Sequence, residues 1–212
     1  MTVTASNYAL KENDLYETEP WAVYALIRSL KKLGLWRCGK IWEPAAGNHA
    51  LMEPFLSSGA NTVLASDIAT YSKPHAFHFD FLSDDFPITE MGDFDLITNP
   101  PYGHRNFVAS KFAAKALQRC PGVVALLLTA KFDFGSTRSH LFRDNPKFRA
   151  KLALTDRISW EGNGETGTED HAWYIWGPVG GRRRQPVVMY DGREGCTFKE
   201  KPKPRNLRAI KK

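Results

Sequence analysis

The chain has 212 residues and a formal net charge of +6, a length that suits one α/β domain with a full core and is too short for two. Its three cysteines, Cys38, Cys120 and Cys196, form no CxxC pair, so the sequence indicates neither a disulfide framework nor a zinc site. No segment approaches the roughly 18 apolar residues of a membrane span, and residues 1–13 lack the apolar stretch of a signal peptide. We therefore expect a soluble, cytoplasmic protein that does not bind membranes.

The positive charge is concentrated at one end of the chain. Residues 182–212 contain eleven Lys and Arg against three Asp and Glu, whereas residues 1–181 contain 18 against 20. This end is also poor in core-forming residues. Clustered basic side chains attract a phosphate backbone, although they also serve simply to solubilise a chain end. We predict a folded domain over residues 1–181 and a flexible basic tail over residues 182–212 that favours nucleic acid as the partner.

Helical and strand patterns alternate along the first 130 residues. The predicted strands cover residues 40–43, 62–66, 93–98 and 123–128, and the predicted helices cover residues 20–30, 50–56 and 106–118. Pro20 suits the first turn of the first helix, and Gly34 suits its end. This alternation is typical of an α/β fold with an open, doubly wound, mostly parallel sheet.

The pattern changes after the last of these strands. Residues 154–160 and 172–176 are extended segments on either side of a Gly-rich loop, residues 161–170. We predict that they form an antiparallel hairpin at the C-terminal end of the sheet, within a single domain. A further short strand is predicted at residues 187–190.

The most informative motif is Asn99-Pro100-Pro101-Tyr102, which follows an apolar strand. Two prolines cannot continue that strand, so the backbone stiffens at its carboxyl end, where open α/β sheets place their ligands. Asn99 and the Pro100 carbonyl offer hydrogen-bond acceptors, and Tyr102 offers a flat face for a planar substrate. This set suits an amino group on a ring. An ordinary strand-ending turn is the structural alternative.

A second motif follows the first predicted strand. Residues 43–51 form a turn of small residues around Gly47 that opens a helix, and Asp67 follows at the end of the second strand. Such a turn can cradle a nucleoside, and a carboxylate at that spacing can bind ribose hydroxyls. The dinucleotide fingerprint GxGxxG is absent, and His49 stands where a second glycine would be expected. Packing of helix against strand is the structural alternative.

In this order the motifs resemble those of Rossmann-like class I S-adenosylmethionine-dependent methyltransferases of the amino-methylating kind, most of all the DNA N6-adenine methyltransferases. The resemblance covers most of residues 13–176 and implies S-adenosylmethionine as the cofactor. It implies cofactor contacts from Tyr16, Thr18 and Pro20 ahead of the first strand, from Glu43, Ala45 and Gly47 in the turn, and from Asp67, Asp80 and Asn99.

The resemblance also implies how the substrate is held. The Asn99 side-chain oxygen and the Pro100 carbonyl accept the two hydrogens of the adenine amine, while Tyr102 stacks on a base flipped out of the duplex. Trp160 is expected as a second stacking face, with hairpin packing as its structural alternative. Lys131 and Arg138 lie in a predicted loop, residues 131–140, that either contacts the target strand or is a plain connection.

Alternatives remain at this stage. An RNA adenine methyltransferase or a protein-glutamine methyltransferase would present the same kind of delocalised nitrogen, and a non-catalytic nucleic-acid-binding protein would result if His49 impairs cofactor binding. The basic tail favours nucleic acid, and the whole series of motifs favours DNA over RNA. Because 110 residues follow Tyr102, we expect no substantial target-recognition domain among them and a short or relaxed site. No metal is expected.

Overall fold

The computed structural model describes residues 14–84, 92–179 and 185–195. Its strands are β1 (Lys40–Glu43), β2 (Thr62–Asp67), β3 (Phe77–His78), β4 (Asp95–Thr98), β5 (Val124–Thr129), β6 (Phe148–Leu154), β7 (His171–Trp176) and β8 (Val187–Asp191). Its α-helices are α1 (Pro20–Leu33), α2 (Met52–Ser57) and α3 (Phe107–Arg119). Most of the predicted basic tail, residues 182–184 and 196–212, lies outside the described residues.

The described strands join in one sheet with the order β3-β2-β1-β4-β5-β7-β6-β8. The first five strands run parallel, because β1 pairs in that sense with β2 and β4, β2 with β3, and β4 with β5. β5 is buried over five consecutive positions, as parallel strands covered on both faces usually are. The strand order reverses between β1 and β4, which is where open α/β sheets bind ligands.

Different helices cover the two faces of the sheet. α1 begins with Pro20, whose missing N–H costs no hydrogen bond there, and ends before Gly34, which has a left-handed φ of 69°. On this face Leu26 of α1 packs in one core with Phe55 of α2. On the other face Phe112 of α3 belongs to a second core. Helices on both faces confirm the predicted doubly wound α/β fold.

The predicted antiparallel hairpin is present, but one of its strands lies elsewhere in the chain. β7 pairs antiparallel with β5 and with β6, and β6 covers Phe148–Leu154. The prediction of a strand over residues 154–160 is therefore wrong. Residues 148–152 alternate apolar and polar side chains, whereas residues 155–157 are three consecutive polar residues. The pairing defines the strand, because Leu152 lies opposite Trp173 in the antiparallel register.

The strand predicted at residues 187–190 is present as β8, and it extends the sheet beyond residue 181. It pairs parallel with β6, from Val187 opposite Ala150 to Asp191 opposite Leu154. The buried Asp191 carboxylate accepts hydrogen bonds of 2.9 and 2.8 Å from the Arg28 guanidinium of α1. Residues 187–191 therefore belong to the sheet, inside the range predicted as tail.

The chain segments that form the candidate site lie along one edge of the sheet. The carboxyl ends of β1, β2, β4 and β5 open there, and the start of the antiparallel β7 meets them, because His171 pairs with Thr129. The turns after β1 and β4 are thus neighbours in space. Within the described part of the chain, no helix has the length and apolar character needed to cross a membrane.

Candidate active site

Asn99 lies between two cavities at this edge, and its side chain is oriented by the segment that precedes α1. Its amide nitrogen donates a 3.1 Å hydrogen bond to the backbone carbonyl of Tyr16. Its amide oxygen is buried and finds no hydrogen-bond partner among the described residues. Because only the nitrogen can donate to a carbonyl, this bond determines which end of the amide is left as an acceptor.

The other end of the tetrapeptide is tied to α3. The Tyr102 hydroxyl donates a 3.2 Å hydrogen bond to the Leu127 carbonyl, and the Tyr102 carbonyl accepts from the N–H groups of Val108 and Ala109 at 3.1 and 3.2 Å. Gly103 has a φ of 63°, and a Cβ there would lie 2.3 Å from a methyl group of Val108, so glycine is required. Burial raises the pKa of Tyr102, which keeps the phenol neutral.

The first cavity is formed by the turn after β1 and by what packs around it. Its walls are residues 14–18, 43–48, 67–68 and 79–82, together with Asn99. Gly47 has a φ of 49°, and a Cβ there would lie 2.7 Å from the Leu15 side chain. The Gly47 N–H donates a 2.9 Å hydrogen bond to one oxygen of Asp67, and the Ala69 N–H donates a 3.2 Å bond to the other. The turn is therefore packed against Leu15 and attached by hydrogen bonds to the end of β2.

Two further polar atoms of the first cavity are buried without a hydrogen-bond partner among the described residues. They are the Thr18 hydroxyl and one carboxylate oxygen of Glu43, a residue that is 1% exposed. Burial, with a smaller contribution from the nearby Asp67 carboxylate, raises the pKa of Glu43 well above its ordinary value. Unpaired buried polar groups cost free energy, and a polar ligand in this cavity would relieve that cost.

The remaining residues predicted for the cofactor divide into two groups. Tyr16, Ala45 and Asp80 line the first cavity, and Asp80 accepts a 2.8 Å hydrogen bond from the Leu82 N–H. Pro20 does not line it and instead begins α1.

His49 also stays outside the lining of the first cavity. It has a left-handed φ of 66°, and its ring meets the edge of the His75 ring with centroids 5.0 Å apart. The His75 ring nitrogen lies 2.9 Å from the Gly47 carbonyl. In the described part of the chain no cluster of three His, Cys, Asp or Glu side chains could hold a metal ion.

The second cavity has a volume of about 320 Å³ and shares Asp14, Tyr16 and Asn99 with the first. Its other walls are Pro100, Tyr102, Gly103, Arg105, Asn106, Thr129, Trp160, residues 167–169 and His171. The Asp14 carboxylate accepts a 2.8 Å hydrogen bond from the Gly103 N–H, so the segment before α1 also braces the turn after the tetrapeptide. The shared wall means that a group bound in one cavity adjoins a group bound in the other.

Aromatic rings dominate the second cavity. Trp160 meets Tyr16 edge to face, with ring centroids 5.9 Å apart, and meets His171 in the same way at 5.0 Å. Tyr102 and His171 are stacked with an interplanar angle of 29° and centroids 6.1 Å apart. The predicted pair, Tyr102 and Trp160, is thus brought to one cavity. His171, which was not among the predicted site residues, joins them through its position at the start of β7.

The two basic residues predicted to contact substrate lie away from this lining. Lys131 is exposed and is not among the lining residues, and the Arg138 guanidinium lies over the Phe132 ring at 4.5 Å. Arg105 lines the cavity instead. It and Asn106 have left-handed φ values of 52° and 62°.

Glu19 connects the two chain segments that carry Tyr16 and Trp160, which are both walls of the second cavity. Its carboxylate accepts hydrogen bonds from the Trp21 indole at 3.0 Å, from the Ser159 N–H at 2.7 Å and from the Arg193 guanidinium at 2.7 Å. Ser159 directly precedes Trp160, so this contact relates the segment carrying Tyr16 to the segment carrying Trp160. Glu19 was not among the predicted site residues, because two of its three partners lie 140 and 174 residues away.

Comparison with known proteins identifies the class of fold. No protein-family model matches the chain, and no curated protein matches its sequence. Solved structures do match it, and their common architecture is the Rossmann-like fold of S-adenosylmethionine-dependent methyltransferases.

Three of these structures illustrate the kinds of protein that have a similar fold. A candidate class I S-adenosylmethionine-dependent methyltransferase from Listeria monocytogenes is 14% identical, with a TM-score of 0.63 covering 90% of this chain and 69% of that one. A candidate RNA methyltransferase from Pyrococcus horikoshii is 18% identical, with a TM-score of 0.58 covering 81% and 92%. The type IIG restriction endonuclease BpuSI is 18% identical, with a TM-score of 0.56 covering 85% of this chain and 27% of that one. At these identities the similarity shows the fold.

Proposed function

We propose that the protein transfers a methyl group from S-adenosylmethionine to the exocyclic N6 amine of adenine in DNA. The observation that carries the proposal is the orientation of Asn99. Its amide nitrogen is held by the Tyr16 carbonyl, which leaves its buried oxygen as an unpaired acceptor where the two cavities adjoin.

The first cavity fits the cofactor by the chemistry of its walls. S-adenosylmethionine, when bound, supplies an activated methyl group and brings an ammonium group and ribose hydroxyls that need acceptors. Glu43 and Thr18 offer buried oxygens without partners, and Asp67 retains lone pairs beyond those used by Gly47 and Ala69. The absence of a side chain at Gly47 lets Leu15, another wall of this cavity, pack closely against the turn.

The second cavity fits a flat ring that carries an amine. The amine of adenine is a poor nucleophile because its lone pair is delocalised into the ring. Acceptance of its two hydrogens by the Asn99 oxygen and the Pro100 carbonyl directs that lone pair towards the first cavity. Tyr102 and Trp160 offer aromatic faces to the ring, and their stacking offsets the few kcal/mol needed to take a base out of a duplex.

Two observations favour DNA among the possible carriers of such an amine. The similar fold of BpuSI belongs to a restriction endonuclease, a class that acts on DNA. The sequence also places eleven basic residues in its last 31 positions, a pattern that favours a phosphate backbone over a protein substrate.

The test is methylation with isotopically labelled S-adenosylmethionine of unmethylated plasmid DNA, tRNA and a protein extract, followed by identification of the modified base or residue. We expect N6-methyladenine in the plasmid, lost in Asn99→Ala and retained in Asn61→Ala, whose side chain is exposed after α2. Label in tRNA alone, in protein glutamine alone, or nowhere would overturn the proposal in favour of an RNA enzyme, a glutamine enzyme or a non-catalytic binding protein.

A further inference from the structure

We propose that His75 controls the affinity for the cofactor by holding the carbonyl group of Gly47 in the turn after β1. This inference rests on the proposed function, because it takes the first cavity as the site of S-adenosylmethionine. His75 is not itself a wall of that cavity. It acts through the turn, as a positioning residue that belongs to none of the sequence motifs.

The first argument is that the backbone at Gly47 needs to be held. The contact with Leu15 leaves no space for a side chain there, and a glycine backbone has more conformational freedom than that of any other residue. Two side chains from the end of β2 and the loop after it hold the residue on both sides. The Asp67 carboxylate accepts a 2.9 Å hydrogen bond from the Gly47 N–H, and the Nε2 atom of His75 lies 2.9 Å from the Gly47 carbonyl oxygen. Without His75, the carbonyl side of the turn loses this restraint.

The second argument is that the geometry determines which nitrogen of His75 carries the hydrogen. A carbonyl oxygen only accepts, so Nε2 is the donor, which leaves Nδ1 as the acceptor of the uncharged ring. Packing orients this donor, because the His75 ring meets three other rings edge to face. They belong to His49, His78 and Tyr71, with centroids 5.0, 5.7 and 6.3 Å away. The hydrogen bond to Gly47 therefore has a defined direction.

The third argument is that the held carbonyl belongs to the peptide group that joins Gly47 to Asn48. The Asn48 side-chain oxygen accepts hydrogen bonds from the N–H and the hydroxyl of Ser72 at 3.0 and 2.6 Å, and its nitrogen donates to Glu17 at 2.6 Å. Asn48 and Glu17 are walls of the first cavity. A rotation of this peptide group moves Asn48 relative to both of its partners, so the effect of His75 extends to several walls.

The contribution of His75 to affinity is one of preorganisation. When the turn is not held, it populates other conformations, and the cofactor must then select the binding-competent one at the expense of its apparent affinity. The loss of a single neutral hydrogen bond of this kind should raise the Kd by about three- to tenfold.

The experiment is isothermal titration calorimetry of S-adenosylmethionine with the full chain, as the wild type and as His75→Phe, His75→Gln and His140→Phe. Phenylalanine keeps an aromatic ring and removes the donor. Glutamine keeps a donor, because its amide nitrogen is the same number of bonds from the Cβ as Nε2 of histidine. His140 is an exposed histidine that lines neither the first nor the second cavity, and it serves as the matched control.

We expect His75→Phe to bind S-adenosylmethionine about three- to tenfold more weakly than the wild type. His75→Gln should recover most of this loss, and His140→Phe should bind as the wild type does. Thermal melting of each variant identifies a loss that comes from unfolding. Equal losses in His75→Phe and His75→Gln would show that the shape of the ring, and not its donor, is what matters, and would overturn the inference.

A second measurement needs no cofactor. Long-range proton–nitrogen correlation spectra of the ligand-free protein report the tautomer of each histidine ring, and the signals missing in His75→Gln belong to His75. We expect the Nε2–H tautomer. An Nδ1–H tautomer would overturn the inference, since Nε2 would then have no hydrogen to donate to the Gly47 carbonyl.

The outcomes separate this inference from the proposed function. If the wild type binds S-adenosylmethionine and His75→Phe binds it equally well, only this inference falls. If the wild type binds none, both fall. If the methylated group belongs to RNA or to glutamine, the proposed substrate falls and the inference about His75 stands, because calorimetry involves no substrate. If His75→Phe is unfolded, His75→Gln becomes the test, and a tenfold loss of affinity in that folded variant would overturn the inference.

Discussion

The carboxylate of Glu19 accepts a 2.7 Å hydrogen bond from the backbone N–H of Ser159, 140 residues further along the chain. The contact relates the segment that holds the Asn99 amide to the loop that presents Trp160. Arg193, which follows β8, donates to the same carboxylate at 2.7 Å. The relative position of the two aromatic walls of the second cavity therefore depends on one side chain that lines neither cavity.

Glu19 is accordingly a positioning residue, and its replacement should affect substrate binding more than chemistry. We expect Glu19→Ala to raise the KM for the nucleic acid by about three- to tenfold with a smaller change in kcat, in keeping with the loss of about 1 kcal/mol of ordering. Glu19→Gln, which keeps an acceptor for Ser159, should lie between Glu19→Ala and the wild type. Steady-state kinetics with varied nucleic acid check this, and equal KM values in all three proteins would contradict it.

The interaction of Glu19 also predicts a pH dependence of stability. Partial burial acts to raise the pKa of Glu19, but hydrogen bonds from Ser159, Trp21 and Arg193 outweigh it and hold the pKa below its ordinary 4.5. A lowered pKa in the folded state contributes stability that is fully present above pH 4.5 and is lost as the pH falls through the folded value. Urea unfolding between pH 3 and 6 should show a smaller loss of stability on acidification for Glu19→Gln than for the wild type.

Glu43 should show the opposite dependence. Burial first, and the Asp67 charge second, raise its pKa above the ordinary 4.5, so the folded chain binds more protons than the unfolded chain once the pH exceeds 4.5. The free energy of unfolding that this group contributes therefore falls as the pH rises from 4.5 towards the folded value. In Glu43→Gln this dependence should disappear, and urea unfolding from pH 4.5 to 8 should find the variant more stable than the wild type at the upper end. A wild type and variant with parallel pH profiles would contradict the assignment.

We expect replacement of Asn99 to have a small effect on the stability of the fold and a large effect on turnover. The side chain has one hydrogen bond in the structure, to the Tyr16 carbonyl, so Asn99→Ala should cost about 1 kcal/mol of stability. Loss of an acceptor aimed at the reacting amine should lower kcat by roughly 10²–10³-fold, as loss of a single preorganised polar group does elsewhere. Single-turnover rates and thermal melting together measure the two effects. An unchanged single-turnover rate would remove Asn99 from the chemistry.

Gly47 should be required for cofactor binding because a side chain there would displace Leu15, another wall of the first cavity. A Cβ at Gly47 would lie 2.7 Å from the Leu15 side chain, whereas a Cβ at Gly34, where φ is also positive, would meet nothing within 4 Å. Both Gly47→Ala and Gly34→Ala should lose about 1 kcal/mol of stability from backbone strain. Calorimetry should show S-adenosylmethionine binding weakened about tenfold or more in Gly47→Ala alone, and equal affinities in the two variants would contradict the role of the turn.

Local sequence pattern was sufficient to predict the helices and strands whose ends or interiors contain characteristic residues. Pro20 and Gly34 marked the two ends of α1 because a helix start tolerates a missing N–H and a helix end favours left-handed φ. Strands β1, β2 and β4 were recognisable as short apolar runs between helical patterns, and β5 as the continuous apolar run of a parallel strand that is buried on both faces. The tetrapeptide at Asn99 and the turn at Gly47 were recognisable for the same reason, since each directly follows such a run.

Long-range pairing decided what local pattern left ambiguous. Residues 148–152 alternate more regularly than residues 154–160, and the register against Trp173 defines the first stretch as β6. β8 belongs to the sheet because it pairs with β6 and because Arg28 of α1 donates a hydrogen bond to Asp191. Both partners lie far from residue 187 in the sequence. His171 and Glu19 were missed for the same physical reason. Their neighbours come from strands and loops far away in sequence, so the sequence alone determined the motifs of the site, and only the tertiary structure decided which side chains complete the cavity around them.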